Sequence, residues 1–471
     1  MMENAAAQET DEASVVHSLS PTRRRFIFVS IYVGAFITCI SQSMIITALP
    51  TIMHQFSITA GMGQLLTTAY IFVLGLFSAT TAFLISRFNS KYLFLFSIGF
   101  FALGCIGTVF APTYELLLAS RLVQATGAGI SLPLIQVVAL LIYPKERYGY
   151  AMGLVGLIVG VAPAVGPAIS GVIVDVWCWQ GIFIILAVLA LVIFVISIFA
   201  QKNVTVQHDV HLDIPSIILF YISLSALLVA VALFESASSM GLVIAVVGAA
   251  ALILLTLFVR RQLRIPEPFL HLRHFKLTTF AVATILVVLS QSAMMGGSIM
   301  VPLFVQDVQG YNAAISGLTI TPGAILLGIF NPITGKLMDT FGPRFVALTG
   351  FIILIVGTVA FLPCTADTPP WVITLLYGFR TIGIACLMMP LTGFACSEVP
   401  QSELSQATAI ITAMRQMFSA LIVSMLVTLM SVLATSPLGV DDFGFDISFG
   451  VQALFYLVGF ILAIKFLPKR H

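Results

Sequence analysis

Charge is what this chain has least of. Asp, Glu, Lys and Arg together make up 8% of its 471 residues, against about 25% in an average soluble domain. That is too little polar side chain to cover a water-facing surface of ordinary size. The six cysteines, Cys39, Cys105, Cys178, Cys364, Cys386 and Cys396, stand singly in apolar stretches with no C-x-x-C spacing. Their placement argues against a disulfide framework or a cysteine-held metal and reads as small apolar packing. A catalytic nucleophile motif and a phosphate-binding glycine loop are both missing, so no enzyme activity, cofactor, metal or nucleic-acid partner is expected. Acidic groups are scarce where they would matter most: every carboxylate falls in the N-terminal stretch, in a loop or at the end of an apolar run.

What the chain has in abundance is apolar length. Hydrophobic residues reach 59% and the mean hydropathy is +1.10. A helix needs roughly 17–25 apolar residues to cross the hydrocarbon core, which predicts an all-α integral membrane protein whose first partner is the lipid bilayer. By that yardstick spans fall near residues 26–50, 63–86, 92–111, 115–143, 150–175, 181–200, 214–234 and 240–259. Six more fall near 278–305, 314–336, 345–363, 371–396, 404–433 and 447–467, fourteen in all. The polar residues 1–25, ending in Arg23-Arg24-Arg25, precede a full-length apolar run. They therefore read as a disordered cytoplasmic tail ahead of a retained first helix and not as a cleaved signal.

Charge placement orients these spans. If the N-terminus is cytoplasmic, every Lys and Arg falls in a cytoplasmic segment except Arg121, Arg380 and Arg415, which lie inside spans. A wrong span number would scramble that parity, so both termini are expected in the cytoplasm of a plasma-membrane protein. Trp177, Trp179 and Trp371 fall at predicted outer ends, as interfacial aromatics do. Residues 266–276, PEPFLHLRHFK, read as an amphipathic helix on the cytoplasmic surface.

Two landmarks repeat. The stretch Ala82-Phe-Leu-Ile-Ser86-Arg87-Phe-Asn89-Ser90-Lys91 rhymes with Gly335-Lys-Leu-Met-Asp339-Thr-Phe-Gly342-Pro-Arg344, offset by 253 residues (82 to 335). The span arginines Arg121 and Arg380 are offset by 259. A duplicated six-helix unit with two helices between the copies follows: bundles at 26–200 and 278–471, and an insertion at 201–277. In these residues the chain resembles the major facilitator superfamily and, within it, the fourteen-span drug:proton antiporters. Gly335–Arg344 is similar to the cytoplasmic gating motif Gly-x-Leu-x-Asp-x-x-Gly-x-Arg. Arg121-Leu-Val-Gln124-Ala-Thr-Gly127 resembles the buried Arg-x-x-Gln-Gly signature, with Ala125 in place of its first glycine. Gly156, Gly160, Pro163 and Gly166-Pro167-Ala-Ile-Ser-Gly171 resemble the glycine- and proline-rich antiporter signature in span 5. Trp177-Cys-Trp179-Gln180-Gly181-Ile-Phe183 and Thr47-Ala-Leu-Pro50 add to the likeness. Three positions depart from it: Ser41 aligns with a common aspartate, Ser86 and Asn89 replace the first motif's carboxylate and glycine, and Gln180 replaces an arginine.

The resemblance implies a proton-coupled exporter of amphiphilic small molecules, expected to work as a monomer. Asp339 and Arg344, with Gly335 and Gly342, form the expected gate, since a carboxylate there can accept hydrogen bonds from a neighbouring helix N-terminus. Gly160, Pro163, Gly166, Pro167 and Gly171 give close helix approach and a bend, which serve either packing or a sliding hinge. A guanidinium inside a span costs at least about 2.5 kcal/mol, so Arg121 needs a partner. Gln124, one turn on, shares its face. Arg121 then reads as a substrate or proton-relay residue, or as a structural hydrogen bonder. Arg380 and Arg415 carry the same two readings. Ser41, Gln42 and Gln291 supply hydrogen bonds to a substrate, but a hydroxyl and an amide carry no proton in this pH range. Proton carriage falls to Glu115, Asp175 and Asp307 near the outer face, each of which also reads as a solvated interfacial carboxylate. Two other readings stand beside the exporter: a carrier for an organic anion or neutral metabolite, and a membrane receptor that binds without cycling.

Overall fold

The structure is a computed structural model that describes residues 20–58, 60–205, 207, 213–232, 237–265, 268, 270–311, 313–434 and 443–468. Within them the chain is helical, because a backbone in hydrocarbon has no water to satisfy its N–H and C=O groups and must pair them internally. The long helices are α1 (Pro21–Phe56), α2 (Ala60–Arg87), α3 (Ser90–Val109), α4 (Tyr114–Ile142), α5 (Tyr148–Val176), α6 (Trp179–Ala200) and α7 (Ile214–Ala232). They continue with α8 (Ala237–Arg264), α9 (Thr278–Leu303), α10 (Ala313–Phe341), α11 (Pro343–Val359), α12 (Pro370–Ser397), α13 (Leu404–Ala434) and α14 (Phe443–Phe466). Among the described residues, eleven stretches are long and apolar enough to cross a membrane, or twelve when the two limbs of α5 count as one span; α7 and α11 carry shorter apolar stretches.

Local sequence sets where several helices start. Pro21 and Pro343 occupy first-turn positions, where the missing N–H costs nothing. The Asn89 side chain caps α3 by accepting from the Lys91 amide at 2.9 Å, and Thr113 accepts from the Leu116 amide at the start of α4. Because α1 begins at Pro21, Arg23–Arg25 lie in its first turns and not in a tail; residues 1–19 lie outside the described part. The surface segment is also not the expected amphipathic helix. Residues 266, 267 and 269 lie outside the described part, and only a single 3₁₀ turn forms, over Leu272–Lys276. Leu270, Leu272 and His274 are buried there while Arg273 and Lys276 are exposed. The Arg273 guanidinium donates to the Leu263 and Ile265 carbonyls, the free acceptors at the end of α8.

The chain forms two compact units, which cut across the boundaries of the sequence repeat. The first comprises residues up to 145, 157–210 and 399–412. Its core joins Ile45, Ile52, Ile98, Phe101, Leu117 and Phe183. Lipid tails are as apolar as leucine, so helices in a bilayer associate through close contact and interhelical polar bonds. Contact here is very close: a Cβ on Gly104 would lie 2.4 Å from the Gln124 amide nitrogen, and one on Gly127 would lie 2.2 Å from the Ser97 carbonyl oxygen. The α3–α4 crossing therefore admits only glycine at these points. Along α6, Val188, Val192 and Phe199 are exposed, as lipid-facing side chains are.

The second unit comprises residues 146–156, 211–398 and 413 onwards. Its core includes Met300, Phe304, Phe361, Tyr377 and Phe449, with the Phe361 and Phe449 rings stacked at 4.9 Å. α11 meets α12 at Gly350 and Gly383, where a Cβ on Gly383 would lie 2.7 Å from the Gly350 carbonyl. α7 and α8 are tied by Arg261, which donates from Nη2 to Asp213 Oδ1 at 2.8 Å and from Nε to Asp213 Oδ2 at 3.1 Å. Those bonds hold the Asp213 carboxyl below the usual carboxylate range.

Candidate functional site

In the first unit the polar residues of α1, α3 and α4 converge on one buried guanidinium. Arg121 is fully buried, as are Gln124 and Ser41. Arg121 Nη1 donates to Gln124 Oε1. Gln124 Nε2 in turn donates to Ser41 Oγ at 3.0 Å and to Cys105 Sγ at 2.8 Å. The guanidinium lies 4.1 Å from the centroid of the Tyr70 ring and 5.6 Å from that of Phe183, whose π faces stabilise a desolvated cation by about 2 kcal/mol or more. Nε and Nη2 have no hydrogen-bond partner among the described residues. A cation is thus held by neutral dipoles and rings, with no carboxylate bonded to it among the described residues. Ser41 stands where the resembling family commonly has an aspartate, and in this chain it anchors the glutamine that holds the arginine.

The other candidates of this unit lie apart from that cluster. Glu115 is exposed in the first turn of α4, where the helix dipole favours a negative charge. Asp175 is exposed near the end of α5, and neither carboxylate bonds to Arg121. Gln42 is half-buried. In α5 a bend of 41° separates Lys145–Ala162 from Val165–Val176. It falls at Pro163, whose side chain lies outside the described part, and a proline there removes an intrahelical bond. Gly160 is buried and Pro167 half-buried. Gly166 permits contact with α1: a Cβ would lie 2.0 Å from Ser43 Oγ, which donates to the Ala162 carbonyl at 3.1 Å. Gly171 has open space around its Cβ position and makes no such approach.

The second unit holds the residues expected to form the gate. Asp339, in the last turns of α10, accepts from the Gly149 amide through Oδ1 and from the Tyr150 amide through Oδ2, both at 2.9 Å. These are first-turn amides of α5, which have no intrahelical acceptor and carry the positive end of its dipole. Both carboxylate oxygens are thereby bonded to the start of α5. Close approach makes it possible, since a Cβ on Gly335 would lie 2.2 Å from the Gly149 carbonyl oxygen. Gly342 has φ +85°, in the region that favours glycine, and turns the chain into α11. Arg344 is half-buried in the first turn of α11 and bonds to no described residue. The matching position in the first unit is weaker: Ser86 Oγ and Ser405 Oγ, the latter at the start of α13, are 3.3 Å apart.

Arg380 of α12 is fully buried as well. It donates through Nε to Thr358 Oγ1 at 3.1 Å, and through Nη2 to Gln452 Oε1 at 2.6 Å and Tyr456 Oη at 3.0 Å. Arg415 is buried in α13, and the neighbouring Ser419 Oγ lies 3.6 Å from Met295 Sδ. Gln291 is buried with Oε1 unpartnered among the described residues. Asp307 lies in a π-helical turn, and its side chain is outside the described part.

Several contributors were not singled out from the sequence. Gly149 and Gly153 extend the α5 stripe to Gly149-x-x-x-Gly153-x-x-Gly156, which packs on Gly335, Asn331 and Met389. The buried Asn331 donates from Nδ2 to the Gly156 carbonyl at 2.9 Å. The i, i+4, i+7 glycine spacing was a usable signal. Tyr70, Thr358, Gln452 and Tyr456 gave none, because a polar side chain in a span does not reveal which helix it faces.

Helices that pack through glycine, a carboxylate bonded to a helix start, and a buried arginine in each unit are consistent with a polytopic solute transporter. Residues 31–424 match the Major Facilitator Superfamily, and the chain belongs to that family. It is 35% identical over 451 residues to the uncharacterized MFS-type transporter YcnB of Bacillus subtilis, covering 94% of this chain and 95% of that one. It is 32% identical over 411 residues to the lincomycin resistance protein LmrB of Listeria monocytogenes, covering 86% of each. Among solved structures, the proton:xylose symporter XylE bound to 6-bromo-6-deoxy-D-glucose matches with a TM-score of 0.65 at 12% identity. That match covers 96% of this chain and 97% of that one, and it is a likeness of fold alone. The protein is a multi-pass membrane transporter of this superfamily and not an enzyme.

Proposed function

We propose that this transporter is a secondary-active exporter of amphiphilic small molecules. It works as a monomer in the plasma membrane, with fourteen spans and both termini cytoplasmic. The span number is supported by the eleven long stretches together with the bent α5 and the shorter α7 and α11, and by the parity of Lys and Arg along the chain. Export is supported by the likeness to a lincomycin resistance protein. The observation that carries the reading is the Arg121 cluster: a buried cation with two unpartnered nitrogens and aromatic faces beside it. Such a surface takes polar and apolar parts of one ligand together.

Asp339 is the closing latch in this proposal, released during the cycle when α5 and α10 separate at Gly149 and Gly335. Proton coupling rests on the resemblance to antiporters. Arg121 does not carry the proton, because a guanidinium stays protonated; the carriers proposed are Glu115, Asp175 and Asp307. That no described carboxylate bonds to Arg121 or Arg380 favours a second reading, a carrier for an organic anion.

Proteoliposomes loaded with a neutral, an anionic or a cationic dye test both readings, with and without an imposed pH gradient. Gradient-dependent efflux of the neutral dye supports the exporter, and flux restricted to the anion supports the carrier. Binding without flux of any dye would replace both with a receptor.

A further inference from the structure

The structure assigns a second ligand site to Arg380: we propose that it binds a small monovalent anion, chloride or the carboxylate head of an amphiphile. The guanidinium is fully buried and its described partners are all neutral, Thr358, Gln452 and Tyr456. Nη1 has no partner at all among the described residues. It lies over Gly297 of α9, where a Cβ would sit 2.1 Å from it, so a side chain at that position would close off this edge of the guanidinium.

The surrounding groups are arranged to hold the charge and not to cancel it. Tyr456 Oη donates to Gln452 Oε1 at 2.9 Å while accepting from Arg380, and Gln452 Nε2 is turned to Met300 Sδ at 2.9 Å. Three acceptors therefore fix Nε and Nη2 and leave Nη1 directed elsewhere. A buried cation without a counter-charge costs several kcal/mol, and a bound anion offsets that cost where neutral dipoles do so only in part. Arginine suits the task because Nη1 by itself still offers two N–H donors to a bound anion. The site lies wholly in the second unit and does not depend on the exporter reading, since binding is measured at equilibrium without flux.

The test is equilibrium binding of radiolabelled chloride and, separately, radiolabelled benzoate to the purified full-length protein in nanodiscs, with sodium sulfate balancing ionic strength. Saturable binding of either anion is expected. Chloride binding that benzoate does not displace identifies a resident ion, and displacement identifies a site for ligand carboxylates. Arg380→Gln should weaken binding on the order of thirtyfold, because a buried charge partner is lost. Lys202→Gln, which removes an exposed charge and no part of either arginine cluster, should leave binding unchanged, and Arg380→Lys should bind more weakly than the native protein. If Arg380→Gln does not fold, the Lys variant and the native protein still decide the matter. No saturable binding of either anion to the native protein would mean that Nη1 takes no anion, and the site would fall. So would native-strength binding by a folded Arg380→Gln or Arg380→Lys protein.

Discussion

Replacing Asp339 with Asn exchanges one carboxylate oxygen for an NH₂ group and has a calculable effect. The carboxylate accepts from two first-turn amides of α5, one on each oxygen, at 2.9 Å. Asn keeps one acceptor and presents an NH₂ group to the other amide, donor against donor. The loss is one hydrogen bond to a charged group, about 1.5–3 kcal/mol, plus the helix-dipole interaction of the negative charge, about 0.3–1 kcal/mol. Asp339 is exposed by surface area, so solvent screening places the sum near the low end, about 2 kcal/mol. That shifts the ratio of latched to unlatched molecules by about thirtyfold. Ser86→Ala removes only a neutral contact of 3.3 Å to Ser405 and should change the ratio far less. The assay is dye efflux at matched membrane expression, with Cys substituted at Tyr150 and its labelling rate used to report opening of the latch. Asp339→Asn should raise the labelling rate and lower transport several-fold, with Ser86→Ala close to the native protein. Equal, native-like transport and labelling in both variants would refute the latch.

Other outcomes follow from the same geometry. Arg121→Ala should lose most transport with folding retained, and Arg121→Lys should restore little, because a compact ammonium does not reproduce the several donors of the guanidinium beside the Tyr70 ring; efflux and size-exclusion profiles measure both. Permanent monocations should be exported weakly, for want of a carboxylate beside Arg121, and Ser41→Asp should improve their efflux; strong native efflux of a cationic dye, unchanged by Ser41→Asp, would overturn the charge argument. Gly335→Ala should lower the yield of folded protein, since its Cβ would meet the Gly149 carbonyl at 2.2 Å and backbone cannot turn aside as a side chain can; a native thermal profile would contradict it. Reporter fusions at Phe234 and Leu270 should report opposite sides of the membrane, and the same side for both would sink the fourteen-span proposal around α7 and α8.

The sequence by itself determined the class of molecule. Apolar runs about as long as the bilayer core is thick have few folded solutions other than spanning helices, and the major facilitator fold was legible in Gly335–Arg344 and Arg121–Gly127 because those residues carry the family likeness. Helix starts were less legible. Arg23–Arg25 looked like the end of a tail, yet Pro21 starts α1 before them, because charges at a helix end lie in water and do not stop the helix. Only the tertiary structure decided which polar groups share a site. Gln124 was within reach as a neighbour one turn along α4, but Tyr70, Cys105 and Phe183 come from three other helices, and helical periodicity fixes a residue's face without naming the helix opposite. For the same reason Glu115 and Asp175, plausible partners by chemistry, prove to lie exposed at helix ends, while Thr358, Gln452 and Tyr456 close around Arg380. A span's composition follows from its solvent, but the rotation and depth of each helix are set by where glycines such as Gly104, Gly127, Gly335 and Gly383 let two backbones touch.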